Sequence, residues 1–112
     1  YVATDRFQGR YEEISEHMER LLRQYGDQTN GVPFSLYYDN SSMTDQEADI
    51  EICLPVKIQG EAAELSCRWI SGGRALSILH KGTYDNLSIS YQLIVNALYE
   101  QGYQVISPSR EI

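Results

Sequence analysis

The sequence predicts an α+β domain in which two helices accompany a mainly antiparallel sheet. Two segments repeat apolar residues every three or four positions, as amphipathic helices do, and about seven short segments have the composition or alternation of strands. The 112 residues suffice for one domain with its own core and are too few for two ordinary domains. We therefore expect a single domain over residues 1–112.

The first helix is predicted to run from Tyr11 to Tyr25. Its apolar face consists of Tyr11, Ile14, Met18, Leu21, Leu22 and Tyr25. Glutamates open the segment and arginines close it, an order that complements the helix dipole. Gly26 is expected to end the helix in a left-handed conformation.

The second helix is predicted from about Tyr84 to Gln101, with Gly102 as its stop. Strands are predicted at 34–38, 48–55, 65–70, 75–80, 103–106 and 110–112, and a further strand leads into the first helix. The glycines in Ser71–Gly73 predict a hairpin turn between the third and fourth of these segments.

The chain also contains a weak internal repeat. Residues 7–15 align with residues 80–88, because both segments end a predicted strand, pass through Gly-x-Tyr and enter a helix. A proline-led strand segment follows each helix, at Pro33 and Pro108. We therefore predict two β-α-β-β halves, roughly residues 1–56 and 64–112, related by a pseudo-twofold axis. A groove for a ligand is expected where such halves meet.

Charge and hydropathy exclude two classes of partner. The chain has 9 Lys and Arg against 16 Asp and Glu, a net charge of −7, and no basic cluster. Because nucleic-acid affinity depends on cations that neutralise phosphates, this domain should not bind nucleic acid by itself. No apolar run reaches the ~20 residues of a membrane span. Acidic charge together with nine tyrosines instead suits organic cations, although acidity alone is also common for solubility.

Common signatures of catalysis and metal binding are missing from the sequence. It has no GxSxG, Walker A or GxGxxG motif, and His17 and His80 lack the spacing of zinc ligands, so we expect neither a cofactor nor a metal. Cys53 and Cys67 are expected to be small buried residues in a reducing cytoplasm, with a disulfide or a reactive thiol as the alternative.

Pattern alone leaves the candidate binding residues ambiguous. Glu111 and Ile112 point to opposite faces of a strand, so Glu111 can face a groove, or it can be an exposed residue paired with Arg110 or water. Glu51 is a second candidate by the same reasoning. His80 ends a predicted strand and is either a water-facing residue or part of a pocket.

Several short motifs together resemble the GyrI-like small-molecule-binding family. They are Phe7-x-Gly9-x-Tyr11, Leu36-Tyr37-Tyr38-Asp39, Asp49-Ile50-Glu51-Ile52-Cys53-Leu54-Pro55-Val56, Ser71-Gly72-Gly73-Arg74-Ala75, His80-Lys81-Gly82-Thr83-Tyr84 and the ending Gly102-Tyr103…Pro108-x-Arg110-Glu111-Ile112. These motifs occur in the family's order over essentially the whole chain. The family's Tyr after Arg-Glu-Ile is absent because the chain stops at Ile112.

The resemblance implies a cleft for small, lipophilic and often cationic molecules. It makes Glu111 the principal ligand-facing carboxylate and Tyr11 a ring that lines the cleft. His80 lies where related domains carry a pocket aromatic residue. Tyr37, Tyr84 and Tyr91 are further candidate contacts, and Tyr91 suits core packing equally well.

The resemblance also implies a set of functions. Many such domains are the effector-binding part of bacterial MerR- or AraC-type transcription regulators, which contact DNA through a fused helix-turn-helix domain and can be homodimers. The alternatives are stand-alone proteins that inhibit gyrase or that hydrolyse strained cyclopropane rings in drugs. The segments Ile70-Ser71-Gly72-Gly73-Arg74 and Leu79-His80-Lys81-Gly82-Thr83-Tyr84 are most similar to the regulator type, so we expect a cytoplasmic regulator. The start at Tyr1 and not at Met agrees with a piece of a longer chain.

Overall fold

The computed structural model describes residues 1–38, 47–57 and 67–112. The chain forms two compact units: unit 1 comprises Tyr1–Ser71 with Pro108–Ile112, and unit 2 comprises Gly72–Ser107. The predicted α+β class is confirmed, since the structure has an antiparallel sheet and two helices. None of the helices in the described ranges is long and apolar enough to cross a membrane.

The sheet lies within unit 1 and has five strands. In chain order they are β1 (Val2–Gly9), β2 (Phe34–Tyr38), β3 (Ala48–Pro55), β4 (Cys67–Arg68) and β5 (Ser109–Glu111). In space the order is β4-β1-β3-β2-β5, and the neighbouring strands are antiparallel. The last residues of the chain therefore join the sheet beside β2.

Strand β3 is the centre of the sheet and of the core. Ile50, Ile52 and Leu54 project from one face, and all three are fully buried. Burial of each such side chain contributes about 1.5–3 kcal/mol relative to exposure. Helix α1 (Ile14–Tyr25) covers this face and packs Leu21 and Tyr25 onto it. We call this the α1 face.

The opposite face of the sheet has its own small apolar cluster. Val2, Leu36 and Cys53 are buried there, and Phe34, Tyr38 and Ile70 pack against them. Because side chains alternate along a strand, β3 supplies Cys53 and Glu51 to this face and its isoleucines to the other. We call it the arginine face, for the three arginines described below.

The two segments aligned by the predicted repeat are alike at the helix starts. A 3₁₀ turn at Tyr11–Glu13 leads into α1, and a 3₁₀ turn at Tyr84–Asn86 leads into α2 (Leu87–Glu100). The residue before each turn is extended, and its carbonyl accepts an N–H from three residues later, at 3.0 Å in unit 1 and 3.2 Å in unit 2. The two helix starts thus have the same local structure from the residue before the turn onward, whereas the preceding glycines differ, since Gly82 has φ +131° and Gly9 belongs to β1.

Several predicted strands differ from the structure. Residues 75–80 and 103–106 form no strand, so the hairpin predicted around Ser71–Gly73 is not formed. Of the strand predicted at 65–70, β4 contains only Cys67 and Arg68, while Leu65 lies outside the described residues. The physical reason is that an alternating segment becomes a strand only where a neighbour accepts and donates its ladder hydrogen bonds.

The two helices end differently, although a glycine follows each of them. Gly102 has φ +71°, and the N–H of Tyr103 donates to the carbonyl of Leu98 at 3.0 Å, so the predicted stop is present and is left-handed. Gly26 is right-handed, with φ −56° and ψ −31°, and continues into a 3₁₀ turn. The left-handed stop predicted at Gly26 is therefore wrong.

This contrast predicts opposite effects of the same substitution. Gly102→Ala should lower the free energy of unfolding by about 1–2 kcal/mol, because a Cβ is strained in the left-handed region. Gly26→Ala should raise it by about 0.4–1 kcal/mol, because alanine fits a right-handed residue and restricts the unfolded chain. Urea denaturation followed by circular dichroism measures both values. Equal effects at the two positions would contradict the assignment.

Candidate functional site

Two of the predicted binding residues meet on the α1 face of unit 1. Tyr11 opens the 3₁₀ turn before α1, and Tyr37 lies on β2. Their ring centroids are 5.9 Å apart and the rings are inclined at 50°, within the range of favourable aromatic pairs. Tyr37 also packs against the core cluster under α1. The pair thus presents aromatic surface beside the first turn of the helix.

The strand register places Glu111 on the same face as this pair. Glu111 on β5 lies opposite Ser35, and Ser35 lies opposite the core residue Ile52. Directly opposed residues of antiparallel strands project to the same side of the sheet. Since Tyr37 pairs with Ser109, Glu111 is its diagonal neighbour, and diagonal neighbours in antiparallel pairs are in general about 7–8 Å apart, within reach of long side chains. A carboxylate therefore lies on the same face as Tyr37, one diagonal position away.

A second carboxylate on the α1 face ties α1 to the sheet. Asp5 Oδ2 lies 2.7 Å from Nδ1 of His17 and 4.0 Å from Nη1 of Arg20, both on α1. The His17 ring stacks on Phe7 with centroids 3.8 Å apart. The Asp5 carboxylate thus contacts two residues of α1. The sequence patterns did not predict these contacts.

The arginine face carries a hydrogen-bonded network around Glu51. Its carboxylate accepts two bonds from Arg68, at 2.9 Å from Nε and 2.6 Å from Nη2, and one from the Tyr38 hydroxyl at 2.5 Å. Only 4% of Glu51 is exposed. Burial alone would raise the pKa of Glu51, but the hydrogen bonds from Arg68 and Tyr38 outweigh it, so the net shift is downward.

Two more arginines lie on the arginine face. Arg6 binds Asp49 through two bonds, at 2.9 and 2.7 Å, and its guanidinium lies 3.7 Å from the ring centroid of Tyr38. The hydrogen bonds from Arg6 lower the pKa of Asp49. Arg110 lies over the Phe34 ring at 4.4 Å. Together with the bonds from Arg68 to Glu51, these contacts show that the carboxylates of the arginine face are held in ion pairs within the sheet.

The other predicted binding residues belong to unit 2. His80 precedes the second Gly-x-Tyr segment, Tyr84 opens the 3₁₀ turn and Tyr91 is a half-buried residue of α2. Within this unit His80 bonds to Ser90 and to the carbonyl of Thr83. Their role as ligand contacts stays a prediction.

Both cysteines are free thiols, and of the two expected to be buried Cys53 is buried and Cys67 is half-buried. Cys53 is fully buried on the arginine face, whereas Cys67 lies opposite Ala3 on the α1 face, so the sheet separates them. Burial raises the pKa of the Cys53 thiol to about 12, and the Glu51 charge adds to this shift. The Cys53 thiol is therefore protonated at neutral pH. In the described ranges, no three His, Cys, Asp or Glu side chains are grouped to hold a metal ion.

A comparison with known protein families shows to which family the chain belongs. The family model described as the GyrI-like small molecule binding domain matches residues 2–112. The chain belongs to the GyrI-like family. No curated protein and no solved structure gives a significant match. This GyrI-like domain is thus a small-molecule-binding domain, and the family resemblance stated from the motifs is confirmed.

The ion-pair network of the GyrI-like domain predicts a dependence of stability on pH. A carboxylate with a lowered folded-state pKa stabilises the fold above its ordinary pKa, and this stabilisation is lost as pH falls through the folded value. Because both Glu51 and Asp49 have lowered pKa values, the free energy of unfolding should fall between pH 6 and pH 3.

Glu51→Gln tests this assignment. It leaves the Arg68 guanidinium without its anion, so the free energy of unfolding at pH 7 should fall by about 1–3 kcal/mol. The variant should also lose less stability than the parent on acidification, since one of the two carboxylates is gone. Glu19→Gln, on an exposed position of α1, is the matched charge control. Urea denaturation at each pH measures the effect, and parallel pH profiles of parent and Glu51→Gln would contradict it.

Proposed function

We propose that this chain is the effector-binding domain of a bacterial transcription regulator of the MerR or AraC type, and that its effectors are lipophilic aromatic cations. The observation that carries the ligand class is the position of Glu111, diagonal to Tyr37 and on the same face as the Tyr11–Tyr37 pair. Aromatic rings and a carboxylate together are the groups that recognise a flat organic cation.

The two kinds of group contribute differently to binding. A cation over the face of a tyrosine ring gains about 0.5–2 kcal/mol, depending on how far water is excluded. The attraction to Glu111 is larger in principle, but both ions lose hydration, so its net contribution is reduced. Tyrosine rings tolerate many flat ligands, and the carboxylate selects for positive charge. This division supports a sensor of broad specificity that discriminates by charge.

The overall charge supports the same class of ligand. At a net charge of −7 the domain attracts cations and repels polyanions. Contact with DNA therefore falls, in this proposal, to a fused helix-turn-helix domain. Binding of the effector to this domain would then change the DNA binding of the fused domain.

A pair of probes with the same shape and different charge tests the role of Glu111. N-methylquinolinium is a flat cation, and 1-methylnaphthalene is its neutral counterpart of nearly equal size. The parent domain should bind the cation more tightly than the neutral ring. Glu111→Gln keeps the size of the side chain and removes its charge, so it should weaken cation binding about tenfold, or ~1.4 kcal/mol, and leave neutral binding unchanged.

Isothermal titration calorimetry measures these affinities, and thermal shift in the presence of each probe provides a second readout. Glu19→Gln is the control, because it changes the net charge equally on the exposed part of α1. Tyr11→Leu should weaken binding of both probes. If Glu111→Gln and the parent bind the cation equally, Glu111 is not its counter-ion and the proposed site is wrong.

A further inference from the structure

A serine and a histidine of unit 2 are joined by a short hydrogen bond. Nδ1 of His80 lies 2.7 Å from the Oγ of Ser90, the fourth residue of α2. Nε2 of the same ring lies 2.9 Å from the carbonyl oxygen of Thr83. Both His80 and Ser90 are half-buried. The imidazole is therefore held at both nitrogens.

The carbonyl of Thr83 determines which nitrogen of the neutral ring carries the proton. A carbonyl oxygen only accepts hydrogen bonds, so Nε2 of His80 must be the N–H donor. In the neutral imidazole the other nitrogen, Nδ1, then has the lone pair and accepts the Ser90 hydroxyl proton. This is the arrangement of a nucleophile and its base: a hydroxyl directed at an imidazole lone pair, with the far nitrogen fixed by a third group.

The local backbone explains how the three groups meet. Gly82 has φ +131°, a conformation that side-chain-bearing residues rarely adopt. It lets the chain turn between His80 and Thr83, so that the Thr83 carbonyl returns to the ring. The same carbonyl also accepts the N–H of Asn86 at the start of the second helical segment. The third group is thus anchored to the helix that carries Ser90.

The internal repeat shows that this contact is not required by the local fold. In the alignment of the two repeats Phe7 corresponds to His80, and the same offset takes His17 to Ser90. Phe7 and His17 also contact each other, but as parallel stacked rings with an interplanar angle of 3°. Unit 1 therefore joins the strand end to the helix by packing, whereas unit 2 has a histidine–serine hydrogen bond at the corresponding positions.

We propose that Ser90 and His80 form a nucleophile–base dyad that accepts acyl groups from activated carboxylic esters. The Ser90 oxygen attacks the ester carbonyl while its proton passes to Nδ1 of His80. The tetrahedral adduct collapses, the bond to the leaving alkoxide breaks, and Nδ1 returns the proton to that oxygen. Water, activated in the same way, then hydrolyses the acyl-serine to a carboxylic acid and regenerates the hydroxyl. This reaction does not involve the proposed cationic ligand or the carboxylate of Glu111.

The probe for this reaction is p-nitrophenyl acetate applied to the full 112-residue chain. Acetylation should release p-nitrophenolate and leave an acetyl group on the peptide that contains Ser90, located by tandem mass spectrometry. Ser90→Ala should abolish this adduct. His80→Gln retains a hydrogen-bonding side chain without a base, so it should slow acetylation of Ser90 at least 100-fold. Ser88→Ala, on the same turn of α2, should leave the rate unchanged.

Three outcomes would overturn the proposal. In the parent chain, acetyl groups only on lysine or tyrosine side chains or at the amino terminus would show that Ser90 is not a nucleophile, and this result needs no variant. Acetylation of Ser90 at equal rates in the parent and in His80→Gln would exclude His80 as the base. A loss of reactivity in Ser88→Ala equal to that in Ser90→Ala would show a general effect on α2. Circular dichroism of each variant confirms that it is folded.

Discussion

The structure of unit 1 depends on the alternation of side chains along β3. This strand pairs with β1 on one side and β2 on the other, and its residues from Ile50 to Leu54 are all buried. Because successive side chains point to opposite faces, one strand supplies the isoleucines under α1 and also Glu51 and Cys53 on the other side. A register shift of one residue would bring the Glu51 charge under α1 and move the isoleucines to the arginine face. The hydrophobic core and the ion-pair network thus fix the same register.

This alternation gives the two faces different chemistry. On the arginine face Arg68, Arg6 and Asp49 are bound to partners within the sheet, so the charges there stabilise strand pairing. On the α1 face the Tyr11–Tyr37 pair and Glu111 lie at the side of the sheet where the last strand joins β2. Glu51 and Glu111 have similar sequence contexts, since each lies in a strand beside an isoleucine. They lie on opposite faces of the sheet, and for this reason we assign a structural role to Glu51 and propose a binding role for Glu111.

Much of this could be predicted from sequence, because local patterns determine it. Helical periodicity gave α1 and α2, and the apolar runs gave β2 and β3 with their observed bounds. Predictions that depend on contacts distant in sequence were less accurate. Residues 75–80 alternate like a strand but have no neighbouring strand to pair with. Gly26 has the position of a helix stop, but its conformation is right-handed. Strand alternation makes Glu51 a candidate binding carboxylate, but its partner Arg68 lies 17 residues away in sequence, so only the fold reveals the pair. The Ser90–His80 contact was likewise invisible, because no spacing rule connects these positions.

The most direct test of the account is to locate a bound cation relative to the sheet. Carbon-13 NMR of the tyrosine rings and glutamate carboxyl groups can be recorded while N-methylquinolinium is added to the domain. We expect the signals of Tyr11, Tyr37 and Glu111 to shift with one common affinity, while those of Tyr38 and Glu51 on the arginine face stay in place. Shifts confined to Tyr38 and Glu51 would contradict it, because the ligand would then occupy the face that we assign to internal ion pairs.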